Sequence, residues 1–190
     1  MSVQERRERE RAERHLLIID AARELAEAEG WDAVTTRRLA ERVEYSQPVL
    51  YSHFKGKDEI VRAVALQGFG ELADRLRVAR AGHRSPVLAL RSLAVAYLDF
   101  ATERPALYEA MFVREVDLSF GTPETPPEPR AAYTEFLGAV EPLARPDDDP
   151  ETLTEVFWSA LHGQITLHRG RRLRPSHREA RLDVLLSRFS

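Results

Sequence analysis

The sequence predicts an all-α protein of about nine helices, in two parts: a small N-terminal unit with two very short helices, and a larger helical bundle after it. Three observations carry this. Apolar residues recur at spacings of three and four in nearly every segment, and no window alternates as a strand would. Proline, glycine and short polar residues fall at the ends of those segments, where helices start and stop. Two helical patterns near the N-terminus, Thr36–Val43 and roughly Gln47–His53, are separated only by a tight turn.

The first helix is expected over 4–29, with Leu16, Ile19, Ala22, Leu25 and Ala26 as its buried stripe and Gly30 as a left-handed stop. Its opening turns, QERRERERAER, have no apolar stripe. Pairs such as Glu5–Arg9 and Glu10–Arg14 support the helix there. That stretch reads equally as a solvated extension or as an arginine arm reaching phosphates or a minor groove. Trp31 and Val34 close the small core between the first two helices.

Leu39, Ala40 and Val43 give the second helix one apolar face. Ser46 is expected to cap the third, its hydroxyl on the Val49 N–H. Pro48 is tolerated because its missing N–H would be unpaired at that position anyway. Leu50 and Phe54 turn inward, leaving Gln47, Pro48, Tyr51, Ser52 and His53 outside. Two short helices joined by a three-to-four-residue turn match helix-turn-helix geometry.

A long fourth helix follows from Lys57 to about Arg80, striped by Ile60, Val61, Val64, Phe69, Leu72 and Leu76. It is the strut between residues 1–54 and the remainder, 55–190. Pro86 opens a fifth helix to about Glu103, apolar over a wide arc and therefore central. Pro105 opens a sixth. From Arg114 to Pro129 prolines and acids break the pattern, so an exposed loop is expected before a helix over Arg130–Ala144. The acids of RPDDDP precede the next helix, 151–171, where its dipole favours them. Ser176 is expected to cap the last helix.

Net charge is −3 over 190 residues. Residues 1–57 balance at eleven cations against eleven acids, so nucleic-acid contacts there must be local rather than a broad basic face. Residues 114–155 carry −8, from three cations and eleven acids; residues 156–190 carry +5, from seven and two. Absence of cysteine excludes disulfides, thiolate catalysis and cysteine metal sites. No apolar run is long enough to span a membrane, and the charged N-terminus does not read as a signal peptide, so the cytoplasm is the expected compartment. The patterns G-x-S-x-G and H-E-x-x-H and a phosphate-binding glycine loop are absent, so no enzyme, cofactor or metal site is expected. His162 and His168 stand six apart and point differently, so they are not a metal pair.

The pattern S-x-x-x-L-Y-x-H-F-x-x-K, formed by Ser46, Leu50, Tyr51, His53, Phe54 and Lys57, resembles the TetR family of bacterial one-component repressors. The likeness extends upstream through Ala21-Ala22, Gly30, Trp31, Thr35, Thr36 and Leu39-Ala40, covering roughly the first third of the chain. It implies residues 1–54 as a DNA-binding domain and 55–190 as a ligand-binding and dimerisation domain. It implies phosphate contacts from Thr36, Tyr51, His53 and Lys57, where hydroxyl, imidazole and ammonium suit backbone oxygens; His53 and Tyr51 also read as packing residues.

Gln47, Pro48 and Val49 open the recognition helix, where Gln47 suits adenine and the other two suit thymine methyls. All three depart from the family's usual residues, and Glu44 stands where the family has glycine in the turn. Trp158, His162 and Gly163, in W-x-x-x-H-G, resemble the W–HG class of C-terminal domain. Tyr97, Phe100, Phe136, Trp158 and His162 are the expected lining for an apolar effector inside one subunit, and His162 reads equally as a satisfied core histidine. The resemblance implies a four-helix dimer interface from the last two long helices, with Phe157, Leu161, Leu182 and Leu186 as its candidates. The functional expectation is a homodimeric repressor on a palindromic double-stranded operator, released by a small hydrophobic effector. The competing expectation is a small-molecule-binding or scaffolding protein with little DNA binding, and binding to a promoter duplex separates them.

Overall fold

The computed structural model describes residues 2–189. Among these, the secondary structure is nine α-helices and three 3₁₀ turns, with no strand. The helices are α1 (Val3–Glu29), α2 (Thr36–Arg42), α3 (Gln47–His53), α4 (Lys57–Ala81), α5 (Pro86–Glu103), α6 (Pro105–Phe112), α7 (Pro127–Val140), α8 (Pro150–Arg169) and α9 (Arg178–Leu186). None is long and apolar enough to cross a membrane.

The contacts form two compact units, and α4 crosses from one to the other after Gly68. The first holds the residues up to Gly68 together with Arg104–Ser119. In it α1 begins at a capping box, in which Ser2 and Glu5 satisfy each other's backbone N–H groups. Burial starts only at Ile18 and continues through Ile19, Ala22, Leu25 and Ala26. Leu16, expected inside, is 53% exposed. It lies about 200° round the helix from Ile18, on the outer side.

Gly30 ends α1 with φ 83° and ψ 162°. This is an extended conformation open to glycine rather than the left-handed helical one expected, yet its N–H still reaches the Ala26 carbonyl at 2.8 Å. Trp31, Val34, Leu39, Ala40, Leu50 and Phe54 complete the buried core around α2 and α3.

Helix α6 belongs to this unit for identifiable reasons. The Glu27 carboxylate accepts the N–H groups of Ala106 and Leu107 at 3.1 and 3.0 Å, satisfying two free donors at the α6 N-terminus. The Trp31 indole N–H donates to the Ala106 carbonyl at 2.8 Å. On α4, a β-carbon at Gly68 would stand 2.6 Å from the Met111 sulfur and 2.8 Å from Leu107 Cδ1, so any larger residue there would require those two side chains of α6 to shift. The packing units therefore do not coincide with a division at residue 54. Contacts between residues about 80 apart place α6 in the first unit.

The second unit holds Phe69–Glu103 and residues 120–189. Helix α5 is central, packing on α7, α8 and α9. Its buried face includes Leu90, Leu93, Tyr97, Leu98 and Phe100. Arg91 of α5 pairs with Asp183 and Glu179 of α9, and Arg178 pairs with Asp99. Helix α7 starts at Pro127, three residues before the expected Arg130, because prolines suit a first turn whose donors are free in any case. It ends at Val140, where a 3₁₀ turn carries Pro142. Asp149 caps α8, its carboxylate accepting the Thr152 N–H at 2.9 Å. Ser176 does not cap α9: Pro175–His177 is a 3₁₀ turn and the helix begins at Arg178.

Candidate functional site

Helix α3 is seven residues long, and its first turn is presented outward. Gln47, Pro48 and Val49 are exposed while Leu50 and Phe54 are buried. Ser46 has the extended backbone of an N-cap, but its hydroxyl makes no capping bond, contrary to the expectation from its position. Other contacts hold the helix in place. Pro48 fixes its entry, the Ser52 hydroxyl bonds back to the Val49 carbonyl at 2.6 Å, and Leu50 and Phe54 anchor its inner side.

The turn before it puts Glu44 at φ 56°, the left-handed region. A glycine there would be unstrained; glutamate costs about 1–2 kcal/mol. The turn keeps its shape because the Val43 and Tyr45 N–H groups bond to the Leu39 and Ala40 carbonyls.

Helix α2 is capped by the Thr35 side chain, which accepts the Arg38 N–H at 3.2 Å. Its arginines are already committed. Arg38 forks onto Glu29 at 2.8 and 2.7 Å, Arg42 reaches Glu24 at 2.8 Å, and Arg37 reaches Glu41 at 2.9 Å. Helix α2 thus presents little free positive charge despite its three arginines.

The candidate phosphate residues do not behave alike. The Thr36 and Tyr51 hydroxyls lie 3.4 Å apart, and Tyr51 is 50% exposed, so these two form one exposed hydroxyl pair. The Lys57 ammonium donates to the Trp31 carbonyl at 2.5 Å, tying the start of α4 to the 3₁₀ turn that follows α1. An ammonium has three donors, so two remain for other acceptors.

His53 is half-buried. Among the described residues its Nδ1 has no hydrogen-bond partner. Burial holds its imidazole below the ordinary range, and Arg11, His15 and Arg14 add to the effect. It is therefore a neutral ring at neutral pH, able to donate one N–H to a phosphate oxygen without bringing a charge.

In the second unit, four of the five expected lining residues come together. The Trp158 indole N–H donates to the Tyr97 hydroxyl at 2.9 Å. Tyr97 meets Phe136 edge-on at 5.3 Å between centroids, and Trp158 lies 5.9 Å from His162. Phe100 is buried on the same helix as Tyr97. Burial, with a contribution from Arg169, lowers the His162 pKa. The cluster is a packed set of rings with one neutral imidazole at its half-buried edge. A separate open groove of about 400 Å³ lies between α4 and α5, floored by Val78, Ala79, Val95 and Ala96.

The expected interface residues face inward within the single chain. Phe157, Leu161, Leu182 and Leu186 are buried within the single chain, and Phe157 packs edge-on against Phe189 at 4.9 Å. A side chain already out of solvent has no area left to bury against a partner. Helix α8 carries two adjacent apolar stripes. The inner one, Phe157, Leu161 and Ile165, faces its own chain. The outer one runs through Val156, Ala160, Gly163 and Leu167, with Val156 56% exposed, and Val184 of α9 is 62% exposed. Periodicity alone does not say which stripe meets which neighbour.

Sequence reasoning passed over Glu27 and Arg38 and assigned Arg11 no partner within the chain; their partners Ala106, Glu29 and Ser52 lie 79, 9 and 41 positions away. No short-range pattern signals such pairs.

Comparison with known proteins agrees with this geometry. Residues 18–64 match the family described as bacterial regulatory proteins, tetR family, and residues 90–189 match the tetracyclin repressor-like C-terminal domain. The uncharacterised HTH-type transcriptional regulator YobS of Bacillus subtilis is 36% identical over 101 residues, 53% of this chain and 52% of that one. This chain thus spans about half of that relative's length. The uncharacterised HTH-type transcriptional regulator Rv0681 of Mycobacterium tuberculosis is 29% identical over 150 residues, 79% of this chain and 67% of that one. A solved protein of unknown function from Rhodococcus sp. RHA1 superposes with a TM-score of 0.77 over 92% of each chain at 20% identity, a likeness of fold. With its C-terminal match alone covering more than half of the sequence and its helix-turn-helix matching as well, the chain belongs to the TetR family of bacterial regulatory proteins.

Proposed function

We propose that this protein is a transcriptional repressor that binds a palindromic operator as a homodimer and is released by a small hydrophobic effector. The observation that carries the reading is the first turn of α3. Gln47, Pro48 and Val49 stand exposed at a helix start, beside the Thr36–Tyr51 hydroxyl pair, with the inner face of the helix locked into a core. Base-edge readers need such a rigid, outward helix start flanked by groups for phosphates. Residues 1–54 are the reader in this proposal, and 55–190 hold the effector and dimerise. Absence of a membrane-crossing helix fits action in the cytoplasm.

The proposed dimer face is the outer stripe of α8 with α9: Val156, Gly163, Leu167 and Val184. Within one chain a β-carbon at Gly163 would meet nothing within 4 Å, so that glycine leaves room for a partner helix to come close. The proposed effector site is the ring cluster of Tyr97, Phe136, Trp158 and His162, with Phe100 buried on the same helix as Tyr97. Apolar walls and one neutral imidazole suit an apolar ligand bearing a single hydrogen-bonding group.

Selection of duplexes from a randomised pool by the purified protein tests the core of this reading. The expected product is a sequence with two-fold symmetry, bound by a dimer in light scattering. Enrichment of no sequence, or of an asymmetric one bound by a monomer, defeats it.

A further inference from the structure

The first four turns of α1 have almost no core to hold them, yet they are built as helix. Residues 2–17 are exposed apart from a half-buried Glu10 and His15. A capping box opens the helix, and Arg6–Glu10, Arg9–Glu13 and Arg14–Glu10 pair along it at 3.6, 3.7 and 3.9 Å. The stretch also leans on α3. The Arg11 guanidinium donates to the Ser52 carbonyl at 3.4 Å, and the His15 ring stacks on Phe54 at 4.3 Å and 20°.

These contacts sort the arginines. Arg6, Arg9 and Arg14 have glutamate partners, while among the described residues no acid pairs with Arg7 or Arg11. Positions 7, 11 and 15 are four apart, so Arg7 and Arg11 continue the stripe on which His15 touches the recognition-helix unit. Glu5, Glu10 and Glu13 fall on the rest of the helix. Glu8 stands at the shoulder of the stripe and is engaged by Gln4 at 3.1 Å. A segment of five arginines and four glutamates thus concentrates its unpaired positive charge along the line that starts at the C-terminal end of α3.

We propose that this line is a second DNA contact surface, in which Arg7 and Arg11 bind the phosphates of duplex adjoining the half-site read by α3. The inference rests on the proposed DNA-binding function and adds to it a sequence-independent footprint. Guanidinium groups without acid partners engage phosphate oxygens in fork geometry, and each contact releases counterions. The ion pairs keep the helix rigid, so the two arginines need not be ordered at the moment of binding. The existing Arg11–Ser52 contact uses one of five donors and leaves the rest of the fork free.

The test uses the full chain and a duplex selected by the wild-type protein, extended by random sequence on both sides, with affinity measured across salt concentrations. Arg7→Gln/Arg11→Gln in both subunits removes four contacts per dimer. The salt slope should fall by about 3–4, at roughly 0.9 per phosphate, and the order of preference among operator variants should stay the same. Arg7→Gln alone, at an exposed residue with no hydrogen bond or ion pair among the described residues, should give about half of that and guards against misfolding. Arg9→Gln, which removes an ion-paired arginine, should leave the slope near wild type. A wild-type slope in the double variant overturns this inference while leaving operator binding intact. An equal fall in Arg9→Gln overturns it as well, since charge alone would then be responsible. A wild-type protein that binds no duplex overturns both this inference and the function beneath it.

Discussion

The two units differ in how they treat the residues that matter. In the first, the candidate contacts lie at or near the surface: Gln47, Pro48, Val49 and Tyr51 are exposed, Thr36, His53 and Lys57 are half-buried, and Leu50 and Phe54 do the packing. In the second, the candidates are core or close to it. Tyr97, Phe100 and Phe136 are buried, and Trp158 spends its N–H on Tyr97. A surface reader separates function from packing residue by residue, so substituting a reader should change binding and spare the fold. A buried ligand site uses the same rings for both, so substitutions there alter stability and response together. The same contrast divides the two stripes of α8, one already packed and one free.

The largest expected effect breaks that last contrast open. Phe157→Ala should cost about 3–5 kcal/mol of stability, because it leaves a cavity among buried rings. Val156→Glu, one residue away, should change monomer stability by only about 0.5 kcal/mol and yet dissociate the dimer. Thermal melting and light scattering read the two outcomes, and a folded, monomeric Phe157→Ala with a stable dimer in Val156→Glu would reverse the assignment of the stripes.

Within the reader, Gln47→Ala should lower discrimination at one base position per half-site by about 1–3 kcal/mol, with melting unchanged. Randomised-site selection reports it, and uniform weakening at every position would remove Gln47 as a base contact. Glu44→Gly should stabilise the protein by about 1 kcal/mol by relieving the positive φ. A lower melting temperature in that variant would show that the Glu44 side chain contributes more than the strain costs.

The smallest effect is shared by both units. Burial holds the imidazoles of His53 and His162 below their ordinary value of 6.5. Between the folded values and 6.5 the unfolded chain binds more protons than the folded one, so stability is full above 6.5 and is lost as pH falls through that window. His53→Gln and His162→Gln should each flatten this part of the stability–pH curve, and an unaltered curve in both would place the titration elsewhere.

Much of this was legible before folding. Helix boundaries fell within a few residues of their expected positions because caps, prolines and three-to-four periodicity are local. The recognition helix was readable because its outward residues are the ones the core does not claim. Local pattern misled where a residue's partner was distant. Leu16 matched the stripe of α1 but lies before the core begins, and Ser46 stands at a cap position without bonding.

The sequence by itself determined the helical class, the positions of the nine helices, the helix-turn-helix and the absence of a broad basic face, since each follows from spacing and composition along the chain. Only the tertiary structure decided that α6 packs with the reader through Glu27 and Trp31 and that the inner stripe of α8 belongs to its own core. Those outcomes depend on pairings between residues tens of positions apart, and amphipathic periodicity specifies that a face must be buried without specifying what buries it.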